Sequence, residues 1–232
     1  MIPLWDNIPR TRWPFVTLVL IAANAFVFFQ ELAAQPEARD QIIAAFSLIP
    51  ARSTSFVTGG PVGFTGGILP LFTSMFLHGG WMHLIGNMWF LWLFGDNVED
   101  RIGHGRYLVL YLAGGLAGAV AHWMFNMAST VPTVGASGAI AAVMGAYLIT
   151  FPGARIRTLV PVFVFLTWLD VPAFVILLYW LLLQLLSGVA SVAVADPMQG
   201  GIAFFAHVGG FIAGIPLMIL LRTGRRYRTS SW

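Results

Sequence analysis

Four polar side chains with the chemistry for acyl transfer stand in apolar stretches of this chain. Ser137 lies in VGASGAIAAVMG, His207 in IAFFAHVGG, and His83 and Asn87 in WMHLIGN. A serine hydroxyl becomes an effective nucleophile when a neighbouring histidine accepts its proton. Imidazole, amide and free backbone N–H groups at a helix start can stabilise the oxyanion that follows. We therefore predict Ser137 and His207 as catalytic, with His83, Asn87 and the Ser137 amide as oxyanion donors.

Other kinds of catalysis find little support in the residue types. Cysteine is absent, so neither a thiol nucleophile nor a thiolate metal site is available. His78 and His83 are five residues apart, which does not place them on one helical face, and no H-E-x-x-H motif occurs. The twelve arginines are scattered and lack a basic run with interleaved aromatic residues, which argues against nucleic acid as a partner. We predict no metal and no cofactor.

The composition of the chain indicates a bilayer as its solvent. Of 232 residues, 58% are hydrophobic and only 9% are charged, and the mean hydropathy is +0.82. Soluble domains carry about 25% charged residues. A water-soluble core could not bury this much apolar surface, so we predict an integral, multi-pass membrane protein with the lipid bilayer as a partner.

Six apolar runs divide the chain into predicted membrane-spanning helices. They lie at 14–32, 82–98, 106–126, 137–151, 171–194 and 202–221. The fourth is short, about 22 Å at ~1.5 Å per residue against a hydrocarbon core of roughly 30 Å. The apolar patch within 152–170 is interrupted by Pro161 and is predicted as an interfacial or re-entrant piece. We predict an all-α fold in one domain, 1–232, with a central short fourth helix and a long outer loop over 33–80.

The arginines predict the orientation of these spans. If the N-terminus is cytoplasmic, the outer segments hold only Arg39 and Arg52. The inner segments then hold Arg10, Arg12, Arg101, Arg106, Arg155, Arg157, Arg222, Arg225, Arg226 and Arg228. Positive charge is enriched on the cytoplasmic side of membrane proteins. We therefore predict that both termini are cytoplasmic.

With this orientation, the four polar residues fall at one depth in three spans that enter from the outside. Polar side chains within a bilayer are costly unless they satisfy one another or serve a function. Small residues at four-residue spacing, Ala206, Gly210 and Gly214 in span six and Ser137, Ala141 and Gly145 in span four, predict close contact between these two helices. No aspartate or glutamate is predicted at this level, so a charged third catalytic residue is not expected.

Three motifs resemble the rhomboid family of intramembrane serine proteases. They are GASG at 135–138, AHVGG at 206–210 and HGGWMHLIGN at 78–87, and the likeness extends over residues 70–222. The resemblance implies a six-helix rhomboid-like bundle, with Ser137 as nucleophile, His207 as general base, and His83 and Asn87 at the oxyanion. The chain departs from some members in having Ala141 where they have a tyrosine that packs on the histidine. It also lacks a Trp-Arg pair in residues 33–80.

These observations predict a serine endopeptidase that cleaves transmembrane segments of other membrane proteins near their outer ends. Span five is rich in leucine without a small-residue stripe in its middle, and we expect it to act as the lateral gate. A small channel or transporter is the first alternative, but its polar residues should follow the full depth, and here they stop in the outer half apart from Gln184. A non-proteolytic rhomboid-like chaperone is the second, yet both serine and histidine are present. A bacterial plasma membrane is the expected location.

Overall fold

The computed structural model describes residues 2–162, 165–194 and 203–222. Its strands are β1 Ile2–Asp6, β2 Arg155–Val162 and β3 Phe165–Pro172. Its longer helices are α1 Phe15–Ala33, α6 Trp81–Ile102, α7 His104–Phe125, α8 Ser137–Thr150, α9 Ala173–Val194 and α10 Phe204–Leu221. Arg225, Arg226 and Arg228, and the predicted turn at 195–201, lie outside the described residues.

The long helices are those of a multi-pass membrane protein. Within the described ranges, α1, α7 and α10 are long and apolar enough to cross a bilayer. A fourth span is present if the bent pair Phe64–Phe76 and Trp81–Ile102, which meet at 76°, counts as one. The helix α8 is shorter, as the sequence predicts, and α9 is apolar over Ala173–Val189. Each predicted apolar run thus contains a helix whose ends agree within a few residues.

The short helix α8 forms the centre of the bundle. Its residues from Gly138 to Tyr147 are all buried, because α6, α7 and α10 pack around it. A methyl group added at Gly210 or Gly214 would collide with the carbonyl oxygen of Gly138 or Ala142. The predicted contact between spans four and six therefore exists. Gly145 on α8 takes part in it as predicted, whereas the other two α8 residues are Gly138 and Ala142, each one residue after the predicted Ser137 and Ala141.

The segment 33–80 contains several short helices. They are α2 Pro36–Phe46, α3 Pro50–Val57, α4 Phe64–Gly67, α5 Pro70–Thr73 and a 3₁₀ turn Ser74–Phe76. Proline stands at the first turn of α2, α3 and α5, where its missing N–H costs nothing. Leu48 exchanges backbone hydrogen bonds with Thr133, which ties this segment to the connection between α7 and α8.

A three-stranded antiparallel sheet corrects the prediction of a purely helical fold. The strands β2 and β3 form a hairpin over most of the predicted interfacial piece, and β1 pairs with β2. Ile156 and Thr158 alternate with Arg155 and Arg157 and are fully buried, a period-two pattern that fits a strand. Arg157 donates to Asp170 across the hairpin at 2.7 Å. The placement of this hairpin at the membrane interface stays a prediction.

The sheet and the end of α6 close the end of the bundle opposite Ser137. The Asp6 carboxylate accepts hydrogen bonds from Tyr147 on α8 and, at 2.8 Å, from Asn97 on α6. The Glu99 carboxylate accepts bonds at 2.8 Å from the backbone N–H groups of Val16 and Thr17. It thereby satisfies donors that the first turn of α1 leaves free.

Candidate active site

Ser137 and His207 are in direct hydrogen-bond contact. The Ser137 hydroxyl donates to His207 Nε2 at 2.6 Å. Ser137 is the first residue of α8, and His207 lies in the first turn of α10. The close approach of Gly210 to the Gly138 carbonyl holds these two helix starts together. A hydroxyl that points at the acceptor nitrogen of an imidazole is the arrangement required for proton transfer from serine to histidine.

The opposite edge of the His207 ring contacts α9. His207 Nδ1 donates to Gln184 Oε1 at 2.7 Å, and the Trp180 ring lies 5.5 Å from the imidazole, centroid to centroid. His207 is only 7% exposed. Sequence reasoning placed Gln184 below the level of the site and did not assign it, although an isolated amide in a leucine-rich span was a usable signal.

His83 and Asn87 face the backbone that leads into Ser137. Both lie in the first two turns of α6. A methyl group added at Gly135 would be 2.6 Å from His83 Nε2 and 3.6 Å from Asn87 Nδ2. Gly135 also has a φ of 126°, which disfavours side chains. Glycine is therefore required here, and its absence of a side chain leaves room for both nitrogens beside the start of α8.

Asn87 carries a donor that has no partner in the described part of the chain. Its side chain is 8% exposed, and Nδ2 makes no hydrogen bond there. Leaving a buried amide N–H unpaired costs on the order of 1–3 kcal/mol. A buried donor of this kind can bind an acceptor that enters the cavity.

One cavity of about 720 Å³ joins these side chains. Its lining includes Ser137, His83, Asn87, Trp180, Gln184 and His207. This volume is typical of a small-molecule or peptide site. Ile43 from the segment 33–80 and Pro132 from the connection between α7 and α8 also line it. The cavity therefore lies at the end of the bundle where these two segments pack. The structure thus brings all four predicted residues to one place, and their catalytic roles stay a prediction.

A buried carboxylate in the same cavity corrects the expectation that none lies at this level. Glu31, near the end of α1, is 1% exposed and lines the cavity. Its Oε1 accepts a hydrogen bond from the backbone N–H of His78 at 3.4 Å. The His78 ring is 5.2 Å from that of His83. Glu31 was not predicted at the site, because the sequence of span one does not show which face of its helix lies against the cavity.

Among the residues that the structure describes, no three His, Asp or Glu side chains converge as ligands for a metal ion. The polar side chains around Ser137 are two imidazoles and two amides, which form hydrogen bonds as neutral groups. The absence of a cofactor stays a prediction from the sequence.

Comparison with known proteins identifies the family. Residues 65–224, more than half of the chain, match the family model of the Rhomboid domain. The chain belongs to the rhomboid family. This rhomboid is 34% identical over 135 residues to "Rhomboid protease GluP" from Bacillus subtilis, a match that covers 58% of the chain and 24% of GluP. It is 32% identical over 138 residues to "Putative rhomboid protease YdcA" from the same organism, covering 59% of the chain and 62% of YdcA.

A third relative comes from an animal mitochondrion. "Presenilin-associated rhomboid-like protein A, mitochondrial" from Danio rerio is 34% identical over 100 residues, or 42% of this chain and 26% of that protein. The matched part of this rhomboid therefore spans about a quarter of the length of GluP and of the Danio rerio protein. Some of these names state a protease and others do not, so the assignment of an activity depends on the side chains at the site.

Proposed function

We propose that this rhomboid is an intramembrane serine endopeptidase that cleaves transmembrane segments near their outer ends. The observation that carries the proposal is the 2.6 Å contact between Ser137 Oγ and His207 Nε2 inside a cavity. The rhomboid relatives named as proteases support it.

The reaction follows from the positions of the polar groups. Ser137 Oγ attacks the carbonyl carbon of the scissile peptide while its proton moves to His207 Nε2. The oxyanion accepts hydrogen bonds from Asn87 Nδ2, the His83 ring and the Ser137 backbone N–H. When the tetrahedral intermediate collapses, the C–N bond breaks and His207 returns the proton to the leaving amine. Water from the cavity then hydrolyses the ester on Ser137 by the same two proton transfers.

The surrounding architecture is proposed as a single six-span domain with both termini cytoplasmic. Its spans contain α1, α6, α7, α8, α9 and α10. Arg155 and Arg157 on β2, and Arg10, which pairs with Asp96 at 3.6 Å, lie at the end opposite the cavity. Their position supports an inward-facing sheet and an outward-facing cavity. Relatives from Bacillus subtilis support a bacterial plasma membrane, and transmembrane proteins in the same bilayer are the proposed substrates.

Labelling with a fluorophosphonate tests the proposed activity. The detergent-solubilised parent should be labelled, because the reagent forms a bond to an activated serine oxygen. Ser137→Ala removes that oxygen and His207→Ala removes its base, so both variants should lose the label. Ser55→Ala, a serine on α3, is the matched control and should label like the parent. Equal labelling of all four proteins, or none of the parent, would reject the protease and favour the non-proteolytic rhomboid-like alternative.

The helix α9 is proposed as the lateral gate through which a substrate reaches the cavity. Over residues 173–189, most side chains of α9 are not buried; Ala173 and Leu177 are among the buried ones. Its exposed side chains include Phe174, Val175, Leu178, Tyr179, Leu182, Leu183, Leu185, Leu186 and Val189. In lipid, helices associate through close packing, so a helix with so few packed side chains is held weakly against its neighbours.

A crosslink between α6 and α9 tests the gate. Cysteines replacing Phe90 and Leu181, joined by a cleavable bifunctional reagent, should abolish cleavage of a transmembrane substrate. Labelling by the small fluorophosphonate should persist, and cutting the linker should restore cleavage. Full cleavage in the linked protein would show that substrates enter elsewhere.

A further inference from the structure

We propose that Gln184 is a positioning residue that fixes the tautomer of His207, and that this contact exists only while α9 is packed on the bundle. The inference rests on the proposed protease function, in which His207 is the base. It adds a third, uncharged member to the Ser137–His207 pair and places that member on the helix proposed as the gate.

The hydrogen bonds around His207 admit one neutral tautomer. A neutral imidazole has one N–H donor and one acceptor nitrogen. Gln184 Oε1, which lies 2.7 Å from Nδ1, is an acceptor and requires the proton on that nitrogen. Nε2 is then the acceptor that faces the Ser137 hydroxyl at 2.6 Å. With the other tautomer, Nε2–H would point at Ser137 and could not accept its proton.

An amide is suited to this position in a membrane. A carboxylate would hold the same tautomer, but an isolated charge within the bilayer is costly. The Gln184 oxygen accepts the bond without adding a charge. Trp180, one turn earlier on the same face of α9, lies beside the same imidazole. Both side-chain contacts come from α9, while position 141 on α8 carries only a methyl group.

Because Gln184 and Trp180 both belong to α9, the surroundings of His207 depend on the position of that helix. Displacing α9 by a few ångströms would break the bond between Gln184 Oε1 and His207 Nδ1, since donor and acceptor in an N–H···O bond lie within about 2.7–3.2 Å of each other. His207 would then lose the group that selects its tautomer. The site would be competent for proton transfer after α9 has closed, with the substrate already inside.

Two substitutions that keep the length of the Gln184 side chain test the contact. Gln184→Met keeps the volume and removes the acceptor, whereas Gln184→Glu keeps an acceptor oxygen. We expect Gln184→Met to slow fluorophosphonate labelling and to lower kcat by about tenfold, the effect of one hydrogen bond of ordinary strength. KM should change by less than about twofold, because the contact is not to substrate. Gln184→Glu should restore most of the rate, and Leu186→Met, on an exposed position of α9, should match the parent.

Histidine ¹⁵N NMR supplies a readout that does not depend on activity. The parent and Gln184→Glu should show His207 protonated on Nδ1, and Gln184→Met should show both tautomers. His83 and His122 are retained in every variant. If Gln184→Met keeps the parent's tautomer and rate, or if Gln184→Glu is as slow as Gln184→Met, the inference is wrong. An unlabelled parent with the predicted tautomer would instead reject the protease and leave the contact intact.

Discussion

At the residue scale, the buried amide of Asn87 is the side-chain donor proposed to bind the oxyanion in this rhomboid. Its Nδ2 is unpaired within the described ranges and lies beside the Gly135 backbone that precedes Ser137. A donor held in this way stabilises an oxyanion without reorganising during the reaction.

We expect Asn87→Ala to lower kcat by about 10²–10³-fold, the loss typical for one oxyanion donor. KM should change little, because the contact forms mainly in the transition state. Steady-state cleavage of a transmembrane peptide measures both constants, and Ile85→Ala, on the exposed side of α6, is the control. An unchanged kcat in Asn87→Ala would remove this residue from the oxyanion site.

At the opposite end of the bundle, Asp6 on β1 accepts hydrogen bonds from α6 and α8, and its protonation is expected to make the stability of the fold depend on pH. Burial raises the pKa of the Asp6 carboxyl from 3.8 to about 6. A raised carboxyl pKa means that the folded state favours the protonated form. The associated stability is complete below about pH 4 and is lost as the pH rises through 6.

Between pH 4.5 and 7.5, we expect the parent to lose more thermal stability than Asp6→Asn. The difference should be at most about 3 kcal/mol, from a pKa change of about two units. Melting temperatures in detergent at several pH values measure it. Parallel pH curves for the two proteins would contradict the assignment to Asp6.

At the scale of elements, the site depends on backbone contact between α8 and α10. In a bilayer the lipid is as apolar as the side chains, so helices associate through close packing of small residues. Gly210 and Gly214 face carbonyl oxygens of α8, which leaves no space for a methyl group. This contact sets the separation between the first residue of α8, Ser137, and the first turn of α10, which carries His207.

Gly210→Ala should therefore destabilise the protein by roughly 1–3 kcal/mol and slow fluorophosphonate labelling. Gly105→Ala is the matched control, since a methyl group there meets no atom within 4 Å. It should leave labelling unchanged and stabilise α7 by up to about 1 kcal/mol. Thermal unfolding in detergent measures both. Similar melting temperatures for the two variants would show that α8 and α10 can separate without cost.

At the scale of the whole molecule, two groups of polar side chains lie at opposite ends of the bundle. The cavity with Ser137 lies at one end, and β1, β2 and the end of α6 lie at the other with their arginines and carboxylates. The proposed orientation places the cavity end outside and the sheet inside.

Because the chain has no cysteine, single cysteines can test this orientation. Gly63 is an exposed residue of the segment 33–80, and Gly153 is exposed in the turn before β2, so each can be replaced by a single cysteine. In intact spheroplasts, a membrane-impermeant maleimide should label only Gly63→Cys, whereas in inverted vesicles it should label only Gly153→Cys. The reverse pattern would show that the cavity opens toward the cytoplasm.

The sequence alone determined the features that follow from composition and local pattern. Apolar runs predicted the helices, because a backbone in lipid must satisfy its hydrogen bonds within the helix. Polar side chains within a membrane span are costly, so isolated ones point to a site. This reasoning selected Ser137, His207, His83 and Asn87. The motifs around them indicated the family, which the Rhomboid domain match confirms.

Only the tertiary structure decided how distant segments meet. It placed Gln184 against His207, brought Glu31 into the cavity, put Gly138 and Ala142 against α10 in place of the residues before them, and paired β1 with β2. These contacts depend on the rotation and relative shift of each helix and on the register between strands far apart in the chain. Hydrophobic periodicity carries little of that information in a membrane, where apolar residues face both lipid and protein.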